Sequence, residues 1–356
     1  MNPLQQLADL GQSIWQDDIR RDMLDDGTLE QRIADWAVTG LTSNPSIFDK
    51  AIAGTNLYDD AINALVSDGV TDPEELFFAL AIDDLQRAAD LFTPAFERSG
   101  RVDGCVSLEV SPLLADDTAA TVTQAAELFN RAKRPNLMIK IPGTPAGLPA
   151  ITETIARGIP VNVTLLFSVT QYLAQAEAWL QGLERRLDAG EPVVGIPSVA
   201  SIFVSRWDVA GNEQLPESLH NRLGIAVCGQ AYRMYRGLIA SERFQRVAKA
   251  GASPQRLLFA STSTKDPAQP DTEYVEALAA RDTVNTMPQS TLVAFADHGE
   301  VGRALPRDGG PAADDLATLE EAGIDVDGLA TKLQEDGKQA FVDSWESLLA
   351  SLRAQV

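Results

Sequence analysis

One lysine in this chain stands where a lysine is costly. Of the seven, at positions 50, 133, 140, 249, 265, 332 and 338, only Lys140 falls inside an apolar run of strand character. Burial disfavours an ammonium and frees the neutral amine, the form that attacks a carbonyl. The alternative is a strand-end lysine whose head group reaches solvent along its own stem. Alternate residues of a strand share a face, and the faces sort cleanly here. In VSLEV, Ser107 and Glu109 oppose Val106, Leu108 and Val110. In LMIKI, Lys140 and Met138 oppose Leu137, Ile139 and Ile141. In VNVTL, Asn162 and Thr164 oppose Val161, Val163 and Leu165, and in LTSN, Thr42 and Asn44 share a face. A nucleophilic amine with a carboxylate, an amide and a hydroxyl close by has the parts for carbonyl attack and proton transfer. Glu109 equally suits a purely structural ion pair with Lys140. Asp17, beside Asp18 at the end of another run, reads as an acid–base group or as a helix N-cap. Asn44-Pro45 reads as a site residue or a turn. Arg206, near Ser201 and Phe203, meets either an anion or a surface carboxylate.

Something must bring these faces together. Eight short apolar runs alternate with longer segments of helical period: 13–17, 38–44, 104–110, 137–141, 161–167, 193–203, 257–262 and 283–287. Helices are expected over 72–91, opened by Asp-Pro, over 116–133 with a stripe through Ala119, Val122, Ala126 and Phe129, over 168–187 and over 224–250. Such alternation argues for a parallel sheet, and eight repeats match an α/β (β/α)8 TIM barrel. The outward apolar faces would pack under the helices, and the polar residues would converge at strand ends inside the barrel. An open doubly wound sheet is the alternative, but no GxGxxG follows the first strand. No linker divides the chain, so one domain is expected over 1–356, with 311–356 as a C-terminal helical extension. The stretch 48–72 is long enough to hold an additional helix.

Composition narrows the classes. With 356 residues and 45% hydrophobic content the chain can bury a large core. A net charge of −22 repels nucleic acid and anionic membranes. Any anionic substrate must therefore be held by a few placed cations. His220 and His298 are the only histidines and lie far apart, and Cys105 and Cys228 read as two buried thiols. No metal or organic cofactor is expected. The N-terminus lacks a basic segment followed by an apolar one, no run reaches the ~20 apolar residues of a membrane span, and a cytoplasmic location follows as the expectation. Monomer and homodimer both fit.

The runs TGLTSNPSIF (39–48), VSLEVSP (106–112), MIKIPGTPAGLPAI (138–151), GIPVNVTLLFS (158–168), ASIFVSRWD (200–208) and FASTSTKDP (259–267) occur in this order over most of the chain. With these residues the chain resembles the transaldolase family. The K-I-P-G-T run, followed about 20 residues later by N-V-T-L-L-F-S, carries most of the likeness. The resemblance implies a barrel with Lys140 on the fourth strand. Lys140 would form a Schiff base with a ketose phosphate and move a dihydroxyacetone unit to an aldose phosphate. It implies that Asp17 is the acid–base residue and that Glu109 and Thr164 hold a proton-shuttling water. Asn44, Asn162, Ser201, Phe203, Arg206 and Ser261 would bind substrate. The family's pattern places an arginine two residues after that serine; this chain has Ser263 there, and Lys265 is the nearest cation. Sedoheptulose 7-phosphate or fructose 6-phosphate would be the donor, and glyceraldehyde 3-phosphate or erythrose 4-phosphate the acceptor, in the non-oxidative pentose phosphate pathway. Two rivals stay open: an aldolase that releases free dihydroxyacetone, and a barrel that binds sugar phosphate without chemistry.

Overall fold

The eight strands pair in chain order. They are β1 Gln12–Asp17, β2 Val38–Thr42, β3 Val106–Glu109, β4 Leu137–Pro142, β5 Val161–Leu166, β6 Ser198–Phe203, β7 Arg256–Ala260 and β8 Thr283–Met287. Each lies parallel to the next, and β8 returns to β1 to close the barrel. The computed structural model describes residues 2–356. The architecture is the expected (β/α)8 barrel, with strand residues buried on both faces, as a sheet enclosed by helices requires. Among the described residues, no helix is long and apolar enough to cross a membrane.

The helices start where their capping residues stand. Asp72 accepts from Glu75 N ahead of Pro73–Arg98, Asp117 caps Thr118–Ala132, and Ser168 with Gln171 forms a capping box ahead of Val169–Asp188. Three expectations need correction. The segment 224–250 is two helices, Leu223–Ala240 and Glu242–Lys249. Ser241 is extended between them, and its side chain accepts from Phe244 N, so a local cap wins over a continuous helix. In Thr118–Ala132 the buried face runs through Thr121, Val122, Ala125, Leu128 and Ala132, while Ala119 is exposed. The stripe is thus rotated by about one position. The run 193–203 becomes strand only from Ser198, after two prolines and Gly195 at φ 74°. The long stretch after β2 holds two helices, Pro45–Ala53 and Asp59–Ser67.

Register aligns the polar residues. Glu109 lies opposite Lys140, Lys140 opposite Asn162, and Asp17 opposite Thr42. In β5 the pairing with β6 slips between Val163 and Leu166, and Leu165 takes φ 57°. A left-handed leucine is strained, and such bulges re-aim the neighbouring side chains.

The N-terminal end of the barrel is filled. Trp15 points inward against Gly40, where a Cβ would come within 2.7 Å of the indole and 2.6 Å of Cys105 O. Asp103 accepts from Ser13 Oγ at 2.5 Å and Trp15 Nε1 at 2.8 Å, and pairs with Arg256 at 3.1 Å.

The opposite end is crossed by the long helix Val326–Arg353. Gln334 Nε2 donates to Gly143 O at 3.1 Å and Leu165 O at 2.9 Å. Lys338 pairs with Asp116 at 2.9 Å, and Ser344 Oγ meets Ser46 Oγ at 2.6 Å. The Trp345 ring stands edge-on to Phe77 at 4.9 Å. Gly337 permits the close approach, since a Cβ there would lie 3.0 Å from Leu165 Cδ2 and 3.3 Å from an Arg206 nitrogen.

Candidate active site

A cavity of about 370 Å³ opens at the C-terminal ends of the strands, the end where barrel enzymes place their chemistry. Lys140 forms part of its wall and is only 5% exposed. Nζ donates to Ser43 O at 3.1 Å and lies 3.1 Å from Glu109 Oε2. The second contact is an ion pair by distance, but Glu109 Oε2 makes no well-aligned hydrogen bond. Burial raises the Glu109 carboxyl above its usual range, against the lowering by Lys140. Thr164 Oγ1 is also buried without a hydrogen-bond partner among the described residues.

Asp17 lies in the same cavity. It caps no helix: the next one, Arg21–Asp25, begins after Arg20. Burial raises its carboxyl, opposed by the Thr42 hydrogen bond at 2.7 Å and by the Lys140 charge. A carboxyl raised in this way changes protonation state more readily near neutral pH.

Asn44 lines the cavity, and in place of a simple turn its Oδ1 accepts from Ile47 N to cap the helix Pro45–Ala53. Ser201, Phe203, Arg206, Ser261 and Lys265 line it as well. Arg206 stacks at 5.4 Å over the Phe203 ring, and burial disfavours its charged form against the opposing charge of Asp336. Lys265 touches Ser263 Oγ at 3.2 Å. Its ammonium, exposed at the cavity rim, is disfavoured by partial desolvation and then by the charges of Arg206 and Lys50. Glu109 and Asn162 are not part of the lining. Asn162 sits in the barrel interior, donating to Ser107 Oγ at 3.0 Å and accepting from Ser201 Oγ at 2.7 Å.

An amine, a raised carboxyl and the cations Lys50, Arg206 and Lys265 thus share one cavity. A family model described as Transaldolase/Fructose-6-phosphate aldolase matches residues 14–352. The chain belongs to this family. It is 45% identical to a protein named Transaldolase from Frankia alni, over 100% of this chain and 98% of that one. A Transaldolase from Thermobifida fusca is 44% identical over 100% and 98%, and a Transaldolase 2 from Nostoc punctiforme 40% over 100% and 98%.

Within this transaldolase-family barrel, sequence reasoning overlooked several lining residues. Lys50 comes from the helix after β2, Thr42 and Thr286 from β2 and β8, and Phe341 from the C-terminal helix. Thr42 had a signal, its shared face with Asn44. Lys50 lay six residues past Asn44, on a helix whose position over the barrel no local pattern reveals.

Proposed function

We infer that this chain is a transaldolase acting on phosphorylated sugars in the cytoplasm, with Lys140 as Schiff-base nucleophile. The observation that carries the reading is that Lys140 lines the same cavity as Asp17 while its Nζ lies 3.1 Å from the buried Glu109 behind the wall. Transfer of a proton from Nζ to Glu109 neutralises the pair and leaves an amine able to add to the ketone. Burial already favours the protonated form of Glu109. Dehydration of the carbinolamine needs protons delivered and removed. Glu109 Oε2 and Thr164 Oγ1 have hydrogen-bonding capacity left for a water that carries them.

Asp17 then takes the proton of the C4 hydroxyl. The C3–C4 bond breaks toward the protonated imine, which becomes an enamine, and an aldose phosphate leaves. An incoming aldose phosphate accepts the enamine carbon, Asp17 returns the proton, and hydrolysis frees Lys140. Lys50, Arg206 and Lys265 supply the positive charge a phosphate dianion needs in so acidic a protein. The free buried thiols Cys105 and Cys228 accord with a reducing compartment.

Borohydride reduction in the presence of fructose 6-phosphate, followed by peptide mapping, tests the reading. The adduct is expected on Lys140 and absent in Lys140→Met. An adduct on Lys50 or Lys265, or none, overturns it.

A further inference from the structure

After carbon–carbon cleavage the enzyme holds a nucleophilic enamine. Two fates compete for it. If its carbon attacks an aldehyde, a new ketose forms. If water protonates that carbon, the resulting iminium adds a second water at C2, the C–N bond breaks, and free dihydroxyacetone leaves with the amine restored. Transfer therefore requires that water be kept from the enamine while the aldehydes exchange.

Most of the cavity wall near Lys140 is unsuited to that task. Asp17, Thr42, Thr164 and Ser201 are polar and would hold water there. Two aromatic rings line the cavity, Phe203 and Phe341. Phe203 is taken up at one end, stacked under Arg206 at 5.4 Å and against Phe167 at 5.3 Å. Phe341 lies elsewhere. Its ring centroid is 5.5 Å from Lys140 Nζ, and the residue is 5% exposed. It arrives on a helix that is polar along its outer side and is pinned by Gln334, Lys338, Ser344 and Trp345. Those anchors hold the helix without Phe341, so the ring is not needed to dock it.

We propose that Phe341 covers the Lys140 nitrogen and excludes water from the enamine, so that the C-terminal helix decides between transfer and release. The proposal rests on the Schiff-base reading given above. The face of the ring also suits a cationic iminium nitrogen, which keeps the cover in place through the steps when the nitrogen is charged.

The test compares the full-length enzyme with Phe341→Ala and Phe341→Leu. Each is incubated with fructose 6-phosphate in D2O, with and without erythrose 4-phosphate, whose transfer product is sedoheptulose 7-phosphate. Free dihydroxyacetone, its deuterium content at the former C3, and transferred product are measured, and borohydride adducts are mapped in parallel. In Phe341→Ala the ratio of release to transfer rises about tenfold or more, with deuterium at that carbon. Phe341→Leu, which keeps an apolar cover, stays near the wild-type ratio. Should all three proteins form the Lys140 adduct and partition alike, Phe341 is no shield and the proposal falls while the Schiff-base reading stands. A loss of both fates in equal proportion in Phe341→Ala also overturns it, since that marks a structural role. No Lys140 adduct in the wild type sinks both.

Discussion

Thr42 Oγ1 donates to Asp17 Oδ1 at 2.7 Å and lies 2.7 Å from Thr286 Oγ1. A hydroxyl has one proton, so with Thr42 donating to Asp17, Thr286 donates to Thr42. The three side chains form a short directed chain across β8, β2 and β1, and it favours the ionised carboxylate that must act as base.

Thr42→Val removes that donor at nearly constant shape. The Asp17 carboxyl, already raised by burial, then rises further, because the hydrogen bond was lowering it. The acidic limb of the kcat–pH profile, which reports the fraction of Asp17 ionised, moves to higher pH. An unmoved limb with a lower plateau would mean that Thr42 positions substrate instead.

In the reading proposed above, the three cations divide the phosphate. Arg206, with its planar fork, is the strongest contact. Arg206→Ala raises KM for fructose 6-phosphate by about 2–3 kcal/mol, with a smaller effect for Lys265→Ala. Lys50→Gln resembles Lys265→Ala, since both are single, better hydrated ammonium groups. Unphosphorylated fructose is the control, and its KM stays nearly constant. Equal weakening of fructose and its phosphate by Arg206→Ala would place the phosphate elsewhere.

The opposite end of the barrel bears on stability. Burial would raise the Asp103 carboxyl, but Arg256 and hydrogen bonds from Ser13, Trp15 and Thr39 outweigh it, and the net shift is downward. A lowered carboxyl contributes stability above the ordinary value of about 3.9 and loses it as pH falls through the folded value below that. The stability gap between wild type and Asp103→Asn, read from urea midpoints, therefore narrows as the pH falls below about 4. Arg256→Met, which strands a buried carboxylate, costs about 3–5 kcal/mol at neutral pH. A gap that stays constant with pH would show that Asp103 is not ionised in the fold.

The barrel was legible from eight strand-like runs between helices, and its interior from β3, β4 and β5, where polar residues recur on one face of an otherwise apolar strand. Lys140, Glu109, Asn162 and Thr164 stand out against apolar neighbours, and parity alone puts them on one face. Asp17 and Arg206 were visible as residues, but their choice of partner was not. Whether an aspartate at a strand end caps a helix depends on where the next helix starts, and here it starts at Arg21, after Arg20. Phe341 was hidden for another reason. A phenylalanine on an amphipathic helix looks like any core residue, and only the path of that helix over the mouth puts its ring beside a lysine about 200 positions earlier. The break at Ser241 was missed because the helical period continues through it, while a single serine cap changes the backbone direction.

The packed floor of Trp15, Asp103 and Arg256 leaves the barrel with one doorway, and this orders the traffic. Donor, first product, acceptor and second product all pass the same threshold, and the acceptor must take the place beside Asp17 that the first aldose vacates. The first aldose must depart before the second arrives, with the three-carbon fragment retained on the lysine between visits. Initial rates at several acceptor concentrations therefore give parallel double-reciprocal lines, and excess acceptor competes with donor for the unloaded enzyme. Lines that converge would require a second way in, through a floor that would have to open.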